Sequence, residues 1–244
     1  MGKGWALNGL ATLARLLLIG AVLSGALVNR ANADLITGEL SFDGTPPTAA
    51  VLFVRNPDAS INQLQIDQKD RQFSQFMNAG STGAVITFHN SDSARHNLYA
   101  NSYSTGTRFD VGLIPPGKSV TLNVSWPEDS IVRVGCAIHT HMETYVANIR
   151  SAHYQVLPFK RWEAKRSGSL DDYDASAPSS DEFEEKISNE LSIKLRSVPT
   201  ELTHLTLLVP YFAPLNFDLA HGESKTLDVM RDGVKRGTLT IKRS

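Results

Sequence analysis

The stretch Gly135-Cys136-Ala137-Ile138-His139-Thr140-His141-Met142 holds the only cysteine of the 244 residues. A histidine follows three positions on, and a methionine three beyond that. Apolar, β-type runs flank it, Ile131–Val134 before and Thr144–Ile149 after, so the stretch reads as a loop joining two neighbouring strands of one sheet. A thiolate, an imidazole and a thioether offered to one point make a soft donor set that suits copper better than magnesium or calcium. One loop leaves such a site incomplete. A second imidazole from elsewhere would give the trigonal two-His, one-Cys arrangement with a long axial Met that is used in electron-transfer copper centres. The fold must therefore bring a distant loop to the same end of a sheet.

That second imidazole is expected from His96, 40 residues before Cys136, at the end of Val85-Ile86-Thr87-Phe88-His89-Asn90-Ser91-Asp92-Ser93-Ala94-Arg95-His96-Asn97-Leu98. Phe88, Asn90 and Asp92, then His96-Asn97, the Pro116-Gly117 turn and Cys136-x-x-His139 fall in an order that resembles the cupredoxins, the amicyanin and plastocyanin branch above all. The His-x-x-Met spacing resembles amicyanin. The run Ile66–Phe73 is similar to that of exported cupredoxin-like proteins of the methylamine utilization type. The resemblance covers roughly residues 34–149. It implies an all-β fold, a cupredoxin-like Greek-key β-sandwich with an additional C-terminal β segment. It also implies one copper per chain, cycling between Cu(I) and Cu(II), held by His96, Cys136, His139 and Met142. Asn97 would tie the two ligand loops and aim an amide N–H at the sulfur. His139 would be the ligand that meets partners. His141, one residue from Met142, is a possible alternative ligand. His89 has a weaker claim, and His153, His204 and His221 have none.

The first residues read as an export signal: Lys3 and Arg15, an apolar run from Leu16 to Val28, and the small-x-small site Ala31-Asn32-Ala33. The run is short for a spanning helix, which takes about 20 residues, so no stable membrane insertion is expected after removal of residues 1–33. The expected location is the periplasm. Losing Lys3, Arg15 and Arg30 moves the formal charge from −1 to −4, which argues against nucleic acid, whose binding asks for a clustered basic face. A lone cysteine excludes an internal disulfide, and metal ligation accounts for an unpaired thiol in an oxidising compartment.

In chain order, residues 34–157 are expected to form the copper domain, 158–182 a polar linker and 183–244 a β-rich segment. Short strands are expected at Leu35–Phe42 and Ala50–Arg55. The opening Gly38-x-Leu40-x-Phe42-Asp43-Gly44 resembles the first hairpin of transthyretin-like modules, so this pair belongs either to the copper sheet or to a neighbouring module with residues 183–244. Residues 56–80 read as polar and irregular, and the resemblance implies that Gln63–Phe73 lies over the copper end. Further strands are expected at Ala84–Phe88, Leu98–Ala100, Arg108–Leu113 and Ser119–Ser125. Near the end of the chain Leu191–Leu195, Leu205–Val209 and a hairpin over Leu227–Ile241 read the same way. Helical spacing of Phe183, Ile187 and Leu191 predicts a short helix at 181–189.

The leading expectation is a carrier of single electrons between redox partner proteins, and not an enzyme. No Gly-x-Ser-x-Gly elbow marks a hydrolase, and a structural zinc site would carry more cysteines. The competing readings are a copper-binding or delivery module without redox shuttling, and an accessory module of a larger envelope system.

Overall fold

The computed structural model describes residues 33–164 and 183–244. The expected export signal lies outside these residues except for Ala33, as does 165–182 of the expected linker. Among the described residues every regular element is a strand.

The chain opens with β1 (Ala33–Phe42) and β2 (Ala49–Val54). It continues through β3 (Gln63–Lys69), β4 (Gln72–Phe73), β5 (Met77–Gly80) and β6 (Val85–Asn90). Next come β7 (His96–Ser102), β8 (Thr107–Ile114), β9 (Ser119–Asn123), β10 (Ser130–Gly135) and β11 (Glu143–Asn148). Then follow β12 (His153–Pro158), β13 (Lys160–Ala164) and β14 (Phe183–Ile187). The last five are β15 (Glu190–Pro199), β16 (His204–Leu208), β17 (Leu215–Asp218), β18 (Ser224–Arg231) and β19 (Val234–Arg243).

Two sandwiches result. In the first, the sheet β5-β11-β10-β7-β8 faces the sheet β4-β3-β6-β9. Ile66, Ile86, Phe88, Leu98, Val132, Val134 and Val146 fill the space between them, with Cys136 and Met142 at its end. In the second, β15-β1-β19-β18 faces β12-β2-β16-β17 across Ile36, Leu40, Leu52, Leu195, Leu207, Leu239 and Ile241.

β2 explains how the two are joined. All six of its residues are buried. Side chains alternate across a strand, so Ala50, Leu52 and Val54 enter the second core. Ala49, Val51 and Phe53 enter a third cluster with Met77, Ala79, Tyr145, Ala147 and Leu208. A large apolar side chain taken fully out of water contributes about 1.5–3 kcal/mol, so this one strand stabilises both layers. It pairs with β12 on one edge and β16 on the other.

The opening pair β1 and β2 thus joins the late strands: β1 lies between β15 and β19. The first sandwich, β3 to β11, is a continuous insertion between β2 and β12.

Two local expectations are corrected. Residues 63–69 are a strand, not irregular chain. Leu64, Ile66 and Gln68 turn inward between more exposed neighbours, and β3 runs parallel to β6 from Gln63↔Val85 to Gln68↔Asn90. The polar character of Gln63, Gln65 and Asp67 belongs to the outer face. The short helix expected at 181–189 is instead β14 over its described residues. Pairing with β13 from Lys160↔Ile187 to Ala164↔Phe183, with a Lys160–Glu185 ion pair at 2.8 Å, overrides the helical spacing.

Candidate metal centre

The Cys136 loop is the connection of an antiparallel hairpin, β10 to β11, in register from Ser130↔Asn148 to Gly135↔Glu143. Inside it the Cys136 N–H donates to Met142 O at 3.3 Å, and the Met142 N–H to His139 O at 2.9 Å. Gly135 pairs with Tyr99 of β7. A Cβ at Gly135 would stand 3.0 Å from Tyr99 Cε1 and 3.2 Å from Arg133 Nη1, so a bare backbone lets β7 come in beside the loop. The base of the hairpin is tied by Arg133 Nε donating to Glu143 Oε2 at 2.7 Å.

His96 is the first residue of β7. The turn before it hangs on Asn90, fully buried at the end of β6. Asn90 Nδ2 donates to Ala94 O at 2.9 Å and Ile114 O at 2.8 Å, while Oδ1 accepts from the Asp92 N–H at 3.0 Å. The Pro116-Gly117 turn is held to the same residue: the Gly117 N–H donates to Asn90 O at 2.7 Å, and Gly117 has a φ of +69°, which glycine adopts at no steric cost. The β6–β7 and β8–β9 loops, each crossing from one sheet to the other, are thereby fixed at one end of the first sandwich.

His96, Cys136 and His139 converge there, with their donor atoms all within 4.8 Å of one another. His96 Nδ1 lies 3.1 Å from His139 Nδ1, and Cys136 Sγ lies 3.7 Å from His139 Nδ1. The thiol and the His96 ring are buried; His139 is half-buried. His96 Nε2 faces Asp92 Oδ2 at 3.0 Å. The carboxylate can only accept, so Nε2 carries the proton and the Nδ1 lone pair faces the cluster. Burial, followed by the nearby His96, Arg71 and His141, holds the His139 ring below its ordinary 6.5, against the pull of Asp92. The neutral ring is the form that binds metal.

Asn97 is the link between loops. Its backbone N–H donates to Cys136 Sγ at 3.4 Å, and its Oδ1 accepts from the Ala137 N–H at 3.1 Å. Its Nδ2 donates to Asp110 Oδ1 at 2.7 Å and Gly112 O at 3.2 Å. Met142 is buried in the apolar cluster that holds Cys136. His141 is exposed and donates from Nε2 to Arg71 O at 3.1 Å, away from the three converging donors. His89 is exposed and bonds Ser119 Oγ at 2.8 Å.

Asp92 and Asp110 are the site residues that sequence reasoning did not assign. Burial would raise the Asp92 carboxyl, but the Arg71 amide, the His96 ring and the Ala94 and Ser93 amides more than offset it. The group lies below its ordinary 3.8. Histidines that bind metals usually give their other N–H to a carboxylate, so an aspartate four residues before His96 was the available signal. Asp110 has no such cue, because only the β7–β8 pairing brings it to Asn97.

These residues fit a first-row cation. Nitrogen and sulfur donors about 2.0–2.3 Å from a common ion stand roughly 3–4 Å apart, as His139 Nδ1 does from His96 Nδ1 and from Cys136 Sγ, at 3.1 and 3.7 Å. The soft thiolate with two imidazoles favours copper.

No family model and no curated protein matches the chain. Among solved structures it is similar to a purple cupredoxin from Nitrosopumilus maritimus, at 18% identity over 35% of this chain and 98% of that one, with a TM-score of 0.30. It is similar to amicyanin from Paracoccus versutus at 12% identity, over 45% of this chain and 96% of that one, with a TM-score of 0.32. A Cu-containing nitrite reductase from Thermus scotoductus matches at 14% identity over 34% of this chain and 21% of its own, with a TM-score of 0.31. The likeness to cupredoxins is distant and partial.

Proposed function

We propose that this chain is a type 1 copper protein that carries single electrons between redox partners in the periplasm, and that it is a carrier rather than an enzyme. The observation that carries the reading is the convergence of His96 Nδ1, Cys136 Sγ and His139 Nδ1 within 4.8 Å, on loops held by strands of two facing sheets. Copper in such a donor set supplies one-electron chemistry between Cu(I) and Cu(II).

The chain's own residues do the rest. Asp92 fixes the tautomer of His96, and the Asn97 amide stabilises negative charge on the Cys136 sulfur. Met142, buried in the same cluster as Cys136, would offer its thioether as a further donor. The hairpin and the Asn90 turn hold the donors in one geometry, so little reorganisation accompanies each electron. The half-buried His139 and the exposed Ile138 and Leu113 form the proposed meeting point with partners, at a small and weak interface.

Titration of the purified protein with Cu(II) tests this. An intense visible band and a reversible one-electron wave, both lost in Cys136→Ser with the β fold intact, are expected. A colourless complex that yields its metal to a chelator within seconds would instead mark a delivery module. A band that survives in Cys136→Ser would overturn the ligand set.

A further inference from the structure

Between the two sandwiches lies a cleft of about 760 Å³. Four of the chain's six tyrosines, Tyr99, Tyr103, Tyr145 and Tyr211, line it. Its walls come from the β7–β8 turn, the start of β10 and the segment after β16. Tyr145 belongs to the third apolar cluster, but the outer tyrosines do not fill a core. Tyr103 is 93% exposed and Tyr211 67% exposed at the rim.

Tyr211 is also held in an unusual backbone state, with a φ of +68°. Bulky side chains rarely adopt this region, and such outliers cluster at ligand clamps. The strain presents the ring over the cleft, where it meets Tyr145 edge-on at a centroid distance of 6.3 Å.

The charges on the walls are neutralised within the protein. Arg133 pairs with Glu143 at 2.7 Å, and Asp129 with Arg55 at 2.5 Å. An occupant therefore meets no free charge. It meets aromatic faces with a polar fringe of Asn101, Ser102, Ser104 and Thr105. A purely apolar ligand would strip water from that fringe without replacing its hydrogen bonds. A sugar ring satisfies both, stacking its C–H face on tyrosine while its hydroxyls bond the fringe.

We propose that this cleft is a binding site for a neutral saccharide. The site uses none of the metal-ligating residues and stands independently of the copper reading.

Chemical-shift mapping on the metal-free full chain tests it, with cellohexaose and hexa-N-acetylchitohexaose as probes. Shifts confined to Tyr99, Tyr103, Tyr145, Tyr211 and their neighbours are expected, for Gly135 included, since Tyr99 rests on it. Tyr211→Gly suits the positive φ and leaves folding intact; it should weaken binding at least tenfold, and Tyr103→Ala should also weaken it. The proposal is overturned if neither oligosaccharide moves the cleft resonances, or if both variants bind as tightly as the parent. It is equally overturned if p-cresol occupies the cleft while both sugars fail.

Discussion

The two sandwiches bury polar groups in opposite ways. In the second, Arg243 and Asp34 form an ion pair almost wholly out of solvent, and every guanidinium nitrogen is satisfied. Nε donates to Asp34 Oδ2 at 2.6 Å, Nη1 to Leu202 O and Leu219 O, and Nη2 to Pro199 O. Donors meet acceptors, and the network closes. In the first, His96 Nδ1, His139 Nδ1 and Cys136 Sγ turn toward one another, and each is a lone-pair donor when ready to ligate. Without a metal such a cluster offers few complementary pairs, chiefly His96 Nδ1 with His139 Nδ1 at 3.1 Å, and Asp92, Asn97 and Asn90 hold its loops from outside. The closed network serves the fold, and the convergent one has the donor set of a cation site.

Breaking the closed network gives the largest expected effect. Asp34→Asn leaves a buried guanidinium without its counter-charge, which costs about 3–5 kcal/mol. The pH dependence has a definite sign. Burial would raise the Asp34 carboxyl, but Arg243 and His221 more than offset it, so it lies below its ordinary 3.8. A depressed carboxyl stabilises the fold above its unfolded value, and that stability is lost as pH falls through the lower folded value. Thermal melts of the metal-free parent should therefore drop steeply below 3.8, while the Asp34→Asn variant, already destabilised, should show a flatter profile there. Equal slopes for both would remove Asp34 as the acid-sensitive group.

Opening the convergent site from outside has a smaller effect. Asp92→Asn keeps the size of the side chain but removes the carboxylate that accepts from His96 Nε2. Losing such a partner costs about 10–100-fold in metal affinity. Competition against a chelator of known copper affinity measures it. The metal-free melting temperature should move far less than in Asp34→Asn, because Asp92 is bonded only to its own turn, His96 and the Arg71 amide.

Legibility from the sequence followed the same division. The donor loop could be read because its residue types are rare together and lie within seven positions, from Cys136 to Met142. His96 could be placed because Asn90, Asp92, His96-Asn97, Pro116-Gly117 and Cys136-x-x-His139 fall in an order that resembles the cupredoxins. Strand pairing across long separations could not be read. Nothing local in Ala49–Val54 says that β16, about 150 residues later, lies beside it, so the sequence left open whether the opening pair joins the copper sheet or residues 183–244, and only the strand pairing decides for the latter. β3 was missed because its outward positions are glutamine and aspartate, which mask the inward alternation. The apparent helix at 181–189 had the right spacing, and only the partner strand β13 decides against it.

The finest contrast concerns Met142, which belongs to both descriptions at once: a buried member of the apolar cluster and a proposed further donor. Met142→Leu separates them. The swap nearly conserves volume, so it should cost less than about 1.5 kcal/mol of metal-free stability. The loop bonds made by the Met142 backbone, to His139 O and from the Cys136 N–H, do not depend on the side chain. If the thioether reaches the metal, the copper-loaded variant should differ from the parent in visible spectrum and reduction potential while its metal-free melt barely moves. An unchanged spectrum and potential would make Met142 a packing residue alone, and the centre would then rest on His96, Cys136 and His139 with an axial donor from elsewhere.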